Sequence, residues 1–234
     1  MSRMKLFRRA EVWIPTWQGW IAILCVPILG LLIVLTFAHP FLSKNRPIGG
    51  EYLVVEGWMN RRQIARTEDV FRSGSYREVI VTGGAISEGT YMRLHYPDFE
   101  SVAEVGASQL RLFGIEEVHS VPRPAVHKDR TYSSALGLRK WLEDAGKKDV
   151  RLDIVASGAH SRRSLLLFKI ALEGVADVGV IAFKPNGYDP DTWWSTSAGV
   201  RTMIGELIAY GYAKFLFYPS PGRDLETLFR KDNR

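Results

Sequence analysis

The sequence predicts an α/β fold with a Rossmann-like parallel sheet of about five strands and flanking helices, preceded by one transmembrane helix. After residue 51, short apolar runs alternate with longer segments of helical periodicity, which is the order typical of a parallel sheet. Before that point, residues 20–38 are apolar nearly throughout. At ~1.5 Å per residue such a run is long enough to cross a hydrocarbon layer of ~30 Å.

The N-terminal segment predicts a membrane anchor and its orientation. No Asp, Glu, Lys or Arg lies between Glu11 and Lys44. Basic residues precede the apolar run, which by the positive-inside rule predicts a cytoplasmic N-terminus: Arg3, Lys5, Arg8 and Arg9. A cleaved signal peptide is the alternative, but the run is longer than the ~7–15 residues usual there. We therefore expect a single-pass protein of the bacterial inner (plasma) membrane, with a periplasmic or extracytoplasmic domain.

These patterns divide the chain into five predicted parts. They are a basic cytoplasmic flank (1–19), a transmembrane helix (20–39), a linker (40–50), the α/β domain (51–218) and a loosely ordered tail (219–234). The single cysteine, Cys25, falls in the predicted span, so no disulfide is expected in the domain. The net charge is +6, but the sequence has no stripe of basic residues with aromatic residues between them. We therefore predict no nucleic-acid partner. A phosphorylated ligand or an anionic lipid surface is the better use of that charge.

The predicted strands are residues 52–55, 78–82, 118–121, 152–156 and 178–183. Helices are expected to begin near Asn60, Asp98, Asp129 or Thr131, Ser161 and Ser197. Because the carboxyl ends of parallel strands meet at one edge of the sheet, residues that follow several strands should gather there, namely Glu56, Gly83, Gly84, Thr131 and His160.

Residues 157–168 are the most informative stretch for function. They follow an apolar strand, and they place Arg162 and Arg163 in the first turn of a helix. The helix dipole disfavours cations there by a few tenths to ~1 kcal/mol each. A bound anion held by the arginines, the free backbone N–H groups and His160 would compensate for this cost, so we expect a phosphate site.

His160 is the candidate catalytic residue. As an imidazolium it can donate to a phosphate oxygen, and as a neutral imidazole it can act as a general acid or base; the sequence leaves both open. Glu88 is its candidate acid/base partner, or else one solvated loop charge. Arg163 is the expected direct anion ligand, since a guanidinium can grip a phosphate with two hydrogen bonds, whereas Arg162 could equally be solvated.

Four further residues are candidate ligand contacts. The backbone of Gly83 and Gly84 could approach a ligand closely, although a Gly pair can also be a simple turn. Thr131 could bind the ligand or merely cap a helix. Ser157 lies at the end of its strand. The five histidines are scattered, and we predict neither a metal site nor a cofactor.

Three motifs resemble the SanA/ElyC/YdcF family, a bacterial envelope-associated group with a Rossmann-like domain. They are the apolar strand ending in Gly83-Gly84, Thr131 with Ala135, and the series Ser157-x-x-His160-x-x-Arg163. Ser134 and Arg130 depart from the family pattern, which usually has Asn at the first position and often Asn or Asp at the second. The first strand also ends Glu56-Gly57-Trp58 without a Gly-rich turn.

The resemblance implies a role in cell-envelope polysaccharide or peptidoglycan metabolism, including the polyprenyl-phosphate carrier step. The leading expectation is an anchored domain that binds a phosphorylated envelope intermediate, with hydrolysis or transfer at the phosphate if it is an enzyme. The alternative is a non-catalytic envelope assembly or barrier factor. A weaker alternative, from fold analogy alone, is a domain that binds a nucleotide or S-adenosylmethionine.

Overall fold

The computed structural model describes residues 12–123 and 129–231. The first helix, α1 (Trp17–Leu42), is the one helix in these ranges that is long and apolar enough to cross a membrane. Its length and composition fit a membrane span or a signal sequence. The chain forms two compact units, residues 1–38 and 39–234, so the last turn of α1 belongs to the second unit, called the domain below. Most of the predicted basic flank lies outside the described residues.

The predicted parallel sheet is confirmed. It has five strands in the order β3-β2-β1-β4-β5, and every neighbouring pair is parallel. The strands are β1 (Tyr52–Glu56), β2 (Glu78–Gly83), β3 (Val118–Pro122), β4 (Val150–Ser157) and β5 (Ala176–Phe183).

The other helices in the described ranges are α2 (Arg61–Ser73), α3 (Tyr91–His95), α4 (Val102–Leu112), α5 (Arg130–Asp144), α6 (Ser161–Ala171), α7 (Ser197–Phe215) and α8 (Pro221–Lys231). The predicted start of α2 is confirmed, because the Asn60 side chain accepts a hydrogen bond from the backbone N–H of Gln63. The start predicted at Asp98 is wrong. Ser101 caps α4 instead, in a reciprocal capping box with Glu104.

The sheet is buried on both faces, which explains the continuous apolar runs of its central strands. Along β1, Val54 packs into the core beneath α5 and α6, whereas Leu53 and Val55 pack into the core beneath α2 and α4. At the carboxyl edge of the sheet, the ends of the strands lie close to the N-termini of the helices that follow them.

The prediction of a loosely ordered tail from Pro219 is wrong over Pro221–Lys231, which forms α8. Leu225 and Leu228 lie three residues apart on one side of this helix and pack against the core. The Tyr132 hydroxyl donates to the Asp224 carboxylate at 3.0 Å. The charged residues around these two leucines, among them Arg223, Asp224 and Glu226, hid a short amphipathic pattern in the sequence.

Candidate functional site

The carboxyl edge of the sheet opens into a cavity of about 1010 Å³, called the cleft below. Its walls come from the ends of β1, β2 and β4, from the starts of α5 and α6, and from one side of α7. Seven of the predicted site residues line it: Gly83, Gly84, Thr131, Ser157, His160 and Arg163, together with Glu56, which the sequence placed at this edge. The expected gathering of these residues is therefore confirmed.

His160 lies between two carboxylates. Its Nδ1 is 2.9 Å from Oε1 of Glu206 on α7, and its Nε2 is 3.3 Å from Oε1 of Glu56 at the end of β1. Burial alone would lower the pKa of His160, but the two carboxylates outweigh burial and raise this pKa to about 9. This raised pKa favours the imidazolium, in which each ring N–H faces a carboxylate, and Nη2 of Arg163 also lies 2.9 Å from Nδ1.

Arg163 shares Glu206 with His160. Its Nε lies 2.8 Å from Oε2 and its Nη2 lies 3.0 Å from Oε1 of that carboxylate, a two-point contact. Burial would raise the pKa of Glu206, yet the contacts with His160 and Arg163 lower it to about 2. The remaining nitrogen, Nη1, makes only a long 3.4 Å contact with the Thr131 hydroxyl. Nη1 is therefore the guanidinium nitrogen with hydrogen-bonding capacity left for a ligand.

Glu56 closes the other side of the cluster. Its side chain is 3% exposed, and Oε1 accepts from both His160 and the Ser164 hydroxyl, the latter at 3.2 Å. The indole of Trp58 stands edge-on to the His160 ring, with 5.2 Å between the ring centroids. Two carboxylates and two cations thus form one buried group whose charges balance.

Ser157 faces the cleft but already has a protein partner. Its hydroxyl accepts a 2.7 Å hydrogen bond from the side-chain amide of Gln63, whose other contact is the Lys184 carbonyl at 3.4 Å. The hydroxyl of Ser157 keeps its own proton to donate to a ligand.

The two glycines have different neighbours. A side chain on Gly83 would meet the Ala103 backbone nitrogen at 2.6 Å, so this glycine lets the start of α4 approach β2. A side chain on Gly84 would lie 2.5 Å from the Arg123 guanidinium carbon, so this glycine leaves room for the Arg123 side chain. Both glycines border the cleft through these contacts.

Thr131 is not the cap of α5. The helix begins at Arg130, and Asp129 holds the capping position in a left-handed conformation with φ 49°. Thr131 lies in the first turn of α5, and its hydroxyl is 3.4 Å from Nη1 of Arg163. The reading of Thr131 as a helix cap alone is wrong.

Glu88 and Arg162 lie away from the cluster. The Glu88 carboxylate is 86% exposed and pairs with Arg93 at 3.2 Å, so the carboxylate partners of His160 are Glu56 and Glu206 instead. Arg162 binds the Phe41 carbonyl, and its guanidinium lies 4.0 Å from the centroid of the Phe41 ring. Helical geometry explains the difference, because neighbouring residues of a helix point about 100° apart.

Several cleft residues were not predicted as site residues. They line the cleft from five different elements or loops: Glu206, Trp58, Thr82, Arg123 and Arg130. The Thr82 hydroxyl is buried and has no hydrogen-bond partner among the described residues. Burial lowers the pKa of Arg123, and the positive charge of Arg130 lowers it further.

Of these five residues, only Glu206 stands in a sequence pattern that could have identified it as a site residue. It is the only acidic residue of α7 and stands between Ile204 and Leu207–Ile208 in an otherwise apolar stretch. A lone carboxylate in such a setting points to a buried cationic partner. Among the described residues, no group of three or more His, Cys, Asp or Glu side chains is arranged to hold a metal ion.

Neither a comparison with protein-family models nor a search of curated protein sequences gives a match for this chain.

Proposed function

We propose that this protein is a membrane-anchored envelope protein that binds a phosphorylated intermediate of polysaccharide or peptidoglycan metabolism in the cleft. The anchor is α1, and the domain faces the periplasm or its extracytoplasmic equivalent. The resemblance to the SanA/ElyC/YdcF family supports the envelope setting and the possible link of the phosphate to a polyprenyl carrier. The observation that carries the proposal is the position of His160, whose two carboxylate neighbours raise its pKa, beside Nη1 of Arg163, whose contact with Thr131 is long at 3.4 Å, in an open cleft.

The lining of the cleft supports an anionic ligand. Four cationic side chains face it, from Arg123, Arg130, His160 and Arg163, against three acidic ones, from Glu56, Asp129 and Glu206. Glu56 and Glu206 are already engaged by His160 and Arg163. The Arg130 guanidinium and the hydroxyls of Thr131 and Thr82 also line the cleft and can donate hydrogen bonds to a phosphate.

The site also supplies a proton for cleavage. In hydrolysis, a water oxygen bonds to phosphorus, the bond from phosphorus to the leaving oxygen breaks, and the leaving oxygen takes a proton from Nε2 of the His160 imidazolium, which gives up its 3.3 Å contact with Glu56 to do so. The water loses its proton to solvent. Arg163 stabilises the charge on the phosphoryl oxygens. Transfer follows the same route with an acceptor hydroxyl in place of water.

Native mass spectrometry of the detergent-extracted full chain tests ligand binding. We expect a co-purified mass that fits a lipid-linked phosphate in the wild type, and loss of that mass in His160→Ala and Arg163→Ala. His95→Ala and Arg62→Ala are matched controls, because both side chains are exposed and lie outside the cleft. Wild-type protein without any bound phosphate compound would contradict the proposal.

A non-catalytic assembly or barrier factor is the second candidate function. The observation that favours it is the internal pairing of His160 and Arg163 with Glu56 and Glu206, which satisfies most of their hydrogen bonds without a ligand. Complementation of an envelope defect separates the two. Full complementation by His160→Ala and Arg163→Ala at normal abundance would exclude the enzyme and leave the assembly factor.

The nucleotide or S-adenosylmethionine alternative requires a cytoplasmic domain. A reporter fused after Arg234 decides between the two orientations. Activity only of a periplasmic reporter is expected from the proposed topology, and activity only of a cytoplasmic reporter would revive the alternative.

A further inference from the structure

The start of α6, where the sequence predicted an anion, is occupied by the protein's own carboxylates. Glu56 accepts a hydrogen bond from the Ser164 hydroxyl at 3.2 Å and lies 3.3 Å from Nε2 of His160. On the other side of the ring, Glu206 contacts Arg163 through two nitrogens. These two carboxylates offset the charges of His160 and Arg163. A ligand phosphate beside them therefore needs further donors at this edge of the sheet.

The start of α5 provides such donors. Asp129 holds the capping position of this 15-residue helix, and its side chain makes no hydrogen bond to the first turn. The backbone N–H groups of Arg130, Thr131 and Tyr132 precede the first intrahelical bond, which Ser133 donates to the Asp129 carbonyl. The side chain of Arg130 also offsets the charge of the Asp129 carboxylate at this end of the cleft. Free N–H groups and the helix dipole together favour an anion here.

An independent feature on β2 points to the same place. The Thr82 side chain is 1% exposed and lines the cleft, yet its hydroxyl has no hydrogen-bond partner among the described residues. Because side chains alternate along a strand, Thr82 projects to the same face of β2 as Ile80, which packs in one core with Ala135 of α5. The hydroxyl is therefore directed to the face on which α5 lies. Burial without a partner costs free energy that a ligand oxygen would recover.

The guanidinium of Arg163 connects the start of α5 to His160. Its Nη1 is 3.4 Å from the Thr131 hydroxyl, and its Nη2 is 2.9 Å from Nδ1 of His160. Both nitrogens belong to one planar group, so the donors of α5 and the His160 ring are neighbours on either side of one side chain. Two phosphoryl groups that share a bridging oxygen suit such neighbouring positions, whereas two separate anions would repel each other there.

We propose that the ligand of the cleft is a diphosphate ester, with one phosphoryl group beside His160 and the other at the start of α5. This inference rests on the proposed function, because it adds a second subsite to the same cleft. The second phosphoryl group accepts from the free backbone N–H groups of α5, from the hydroxyls of Thr82 and Thr131, and from the Arg130 side chain. Arg163 lies between the two groups and contacts both.

Calorimetric titration of the full chain with inorganic pyrophosphate and, separately, with inorganic phosphate tests the second subsite. Thr82→Val removes the hydroxyl at nearly constant volume, and Arg130→Gln removes the charge. Each should weaken pyrophosphate binding about fivefold or more. Phosphate binding should change less, because a single phosphate can still bind beside His160. The preference of the protein for pyrophosphate over phosphate should therefore shrink in both variants.

The matched controls are Thr67→Val and Arg62→Gln. Thr67 is as buried as Thr82 but lies outside the cleft, and Arg62 is exposed and also lies outside it. Both controls should bind pyrophosphate as the wild type does. The thermal midpoint of Thr82→Val, measured in the same detergent, should equal that of the wild type, since the hydroxyl that it loses has no partner among the described residues.

Two results would overturn the inference, and they are distinguishable. Pyrophosphate binding that is unchanged in Thr82→Val and Arg130→Gln but weakened in His160→Ala and Arg163→Ala would exclude the second subsite and leave the proposed function standing. No binding of either compound by the wild type would contradict the proposed function and the inference together.

Discussion

Glu206 and His160 stand 46 positions apart in the sequence, yet Oε1 of the carboxylate lies 2.9 Å from Nδ1 of the ring. This contact joins α7 to the start of α6 at the carboxyl edge of the sheet. Together with Glu56, it raises the pKa of His160, which burial alone would lower. Helix α7 is therefore part of the site and not merely a helix packed beside it.

Replacing Glu206 by Gln should lower the pKa of His160 from about 9 toward its ordinary value of 6.5, because one of the two carboxylates that oppose burial is lost. Titration of the His160 ring signal by NMR in ¹³C-histidine-labelled protein measures this directly. Glu88→Gln is the matched control and should leave the titration unchanged, since that carboxylate pairs with Arg93. An identical pKa in the wild type and Glu206→Gln would contradict the assigned pairing.

The cluster predicts a pH window of greatest stability. The pKa of His160 is raised, so its contribution is complete below about pH 6.5 and is lost as the pH rises through about 9. The pKa of Glu206 is lowered from 4.5 to about 2, so its contribution is complete above about pH 4.5 and is lost as the pH falls through about 2. Both contributions are therefore complete between roughly pH 4.5 and 6.5.

The measurement is the difference in thermal midpoint between the wild type and His160→Ala, across pH, in the same detergent. We expect the difference to be greatest inside this window and to shrink on both sides. Lys140→Ala, which breaks an exposed ion pair with Asp144, should give a small difference with no such maximum. A flat profile for His160→Ala would count against the buried pairing.

Gln63 and Ser157 should be energetically coupled. Their 2.7 Å hydrogen bond joins α2 to the end of β4, and a bond of this kind typically contributes about 1 kcal/mol. A double-mutant cycle with Gln63→Ala and Ser157→Ala, read by chemical denaturation, should give a coupling energy of about that size. Additive effects of the two substitutions would show that the bond contributes nothing to stability.

Asp153→Asn should destabilise the domain by about 2 kcal/mol or more. The buried Asp153 carboxylate on β4 accepts from the backbone N–H groups of Ile48 and Gly49 at 2.8 and 2.9 Å, and from the Tyr76 hydroxyl at 2.7 Å. An amide turns one acceptor into a donor that faces these donors. Chemical denaturation measures the loss.

Asp177→Asn, on an exposed position of β5, is the control for the Asp153 substitution. It should change the free energy of unfolding by less than about 0.5 kcal/mol. Equal effects of the two substitutions would contradict the role given to Asp153 in holding the chain that leads into β1.

The sheet and most of its helices were predictable because they rest on local patterns. The apolar runs of β1 and β4 and the helix cap at Asn60 depend only on residues that are close in the sequence. The partners of His160 were not predictable in this way, since Glu56 and Glu206 reach it from 104 and 46 positions away. Glu88 seemed a candidate because it lies in a polar loop after β2, but its carboxylate forms an ion pair with Arg93, five residues further along the chain.

The misplaced start of α4 and the missed α8 have similar causes. Asp98 and Ser101 both suit a helix cap, and only the reciprocal contact with Glu104 decides for Ser101. In α8, the apolar side consists of few residues, and its helix gains stability from packing on the core rather than from its own sequence. Tertiary contacts decide both cases.

The most direct test of the central claim, a phosphate site built on protonated His160 and Arg163, is calorimetric titration of the full chain with inorganic pyrophosphate at pH 7. We predict binding by the wild type that weakens about tenfold or more in His160→Ala and in Arg163→Ala, and that persists in His95→Ala and Arg62→Ala. No binding by the wild type, or equal binding by all four variants, would contradict the claim.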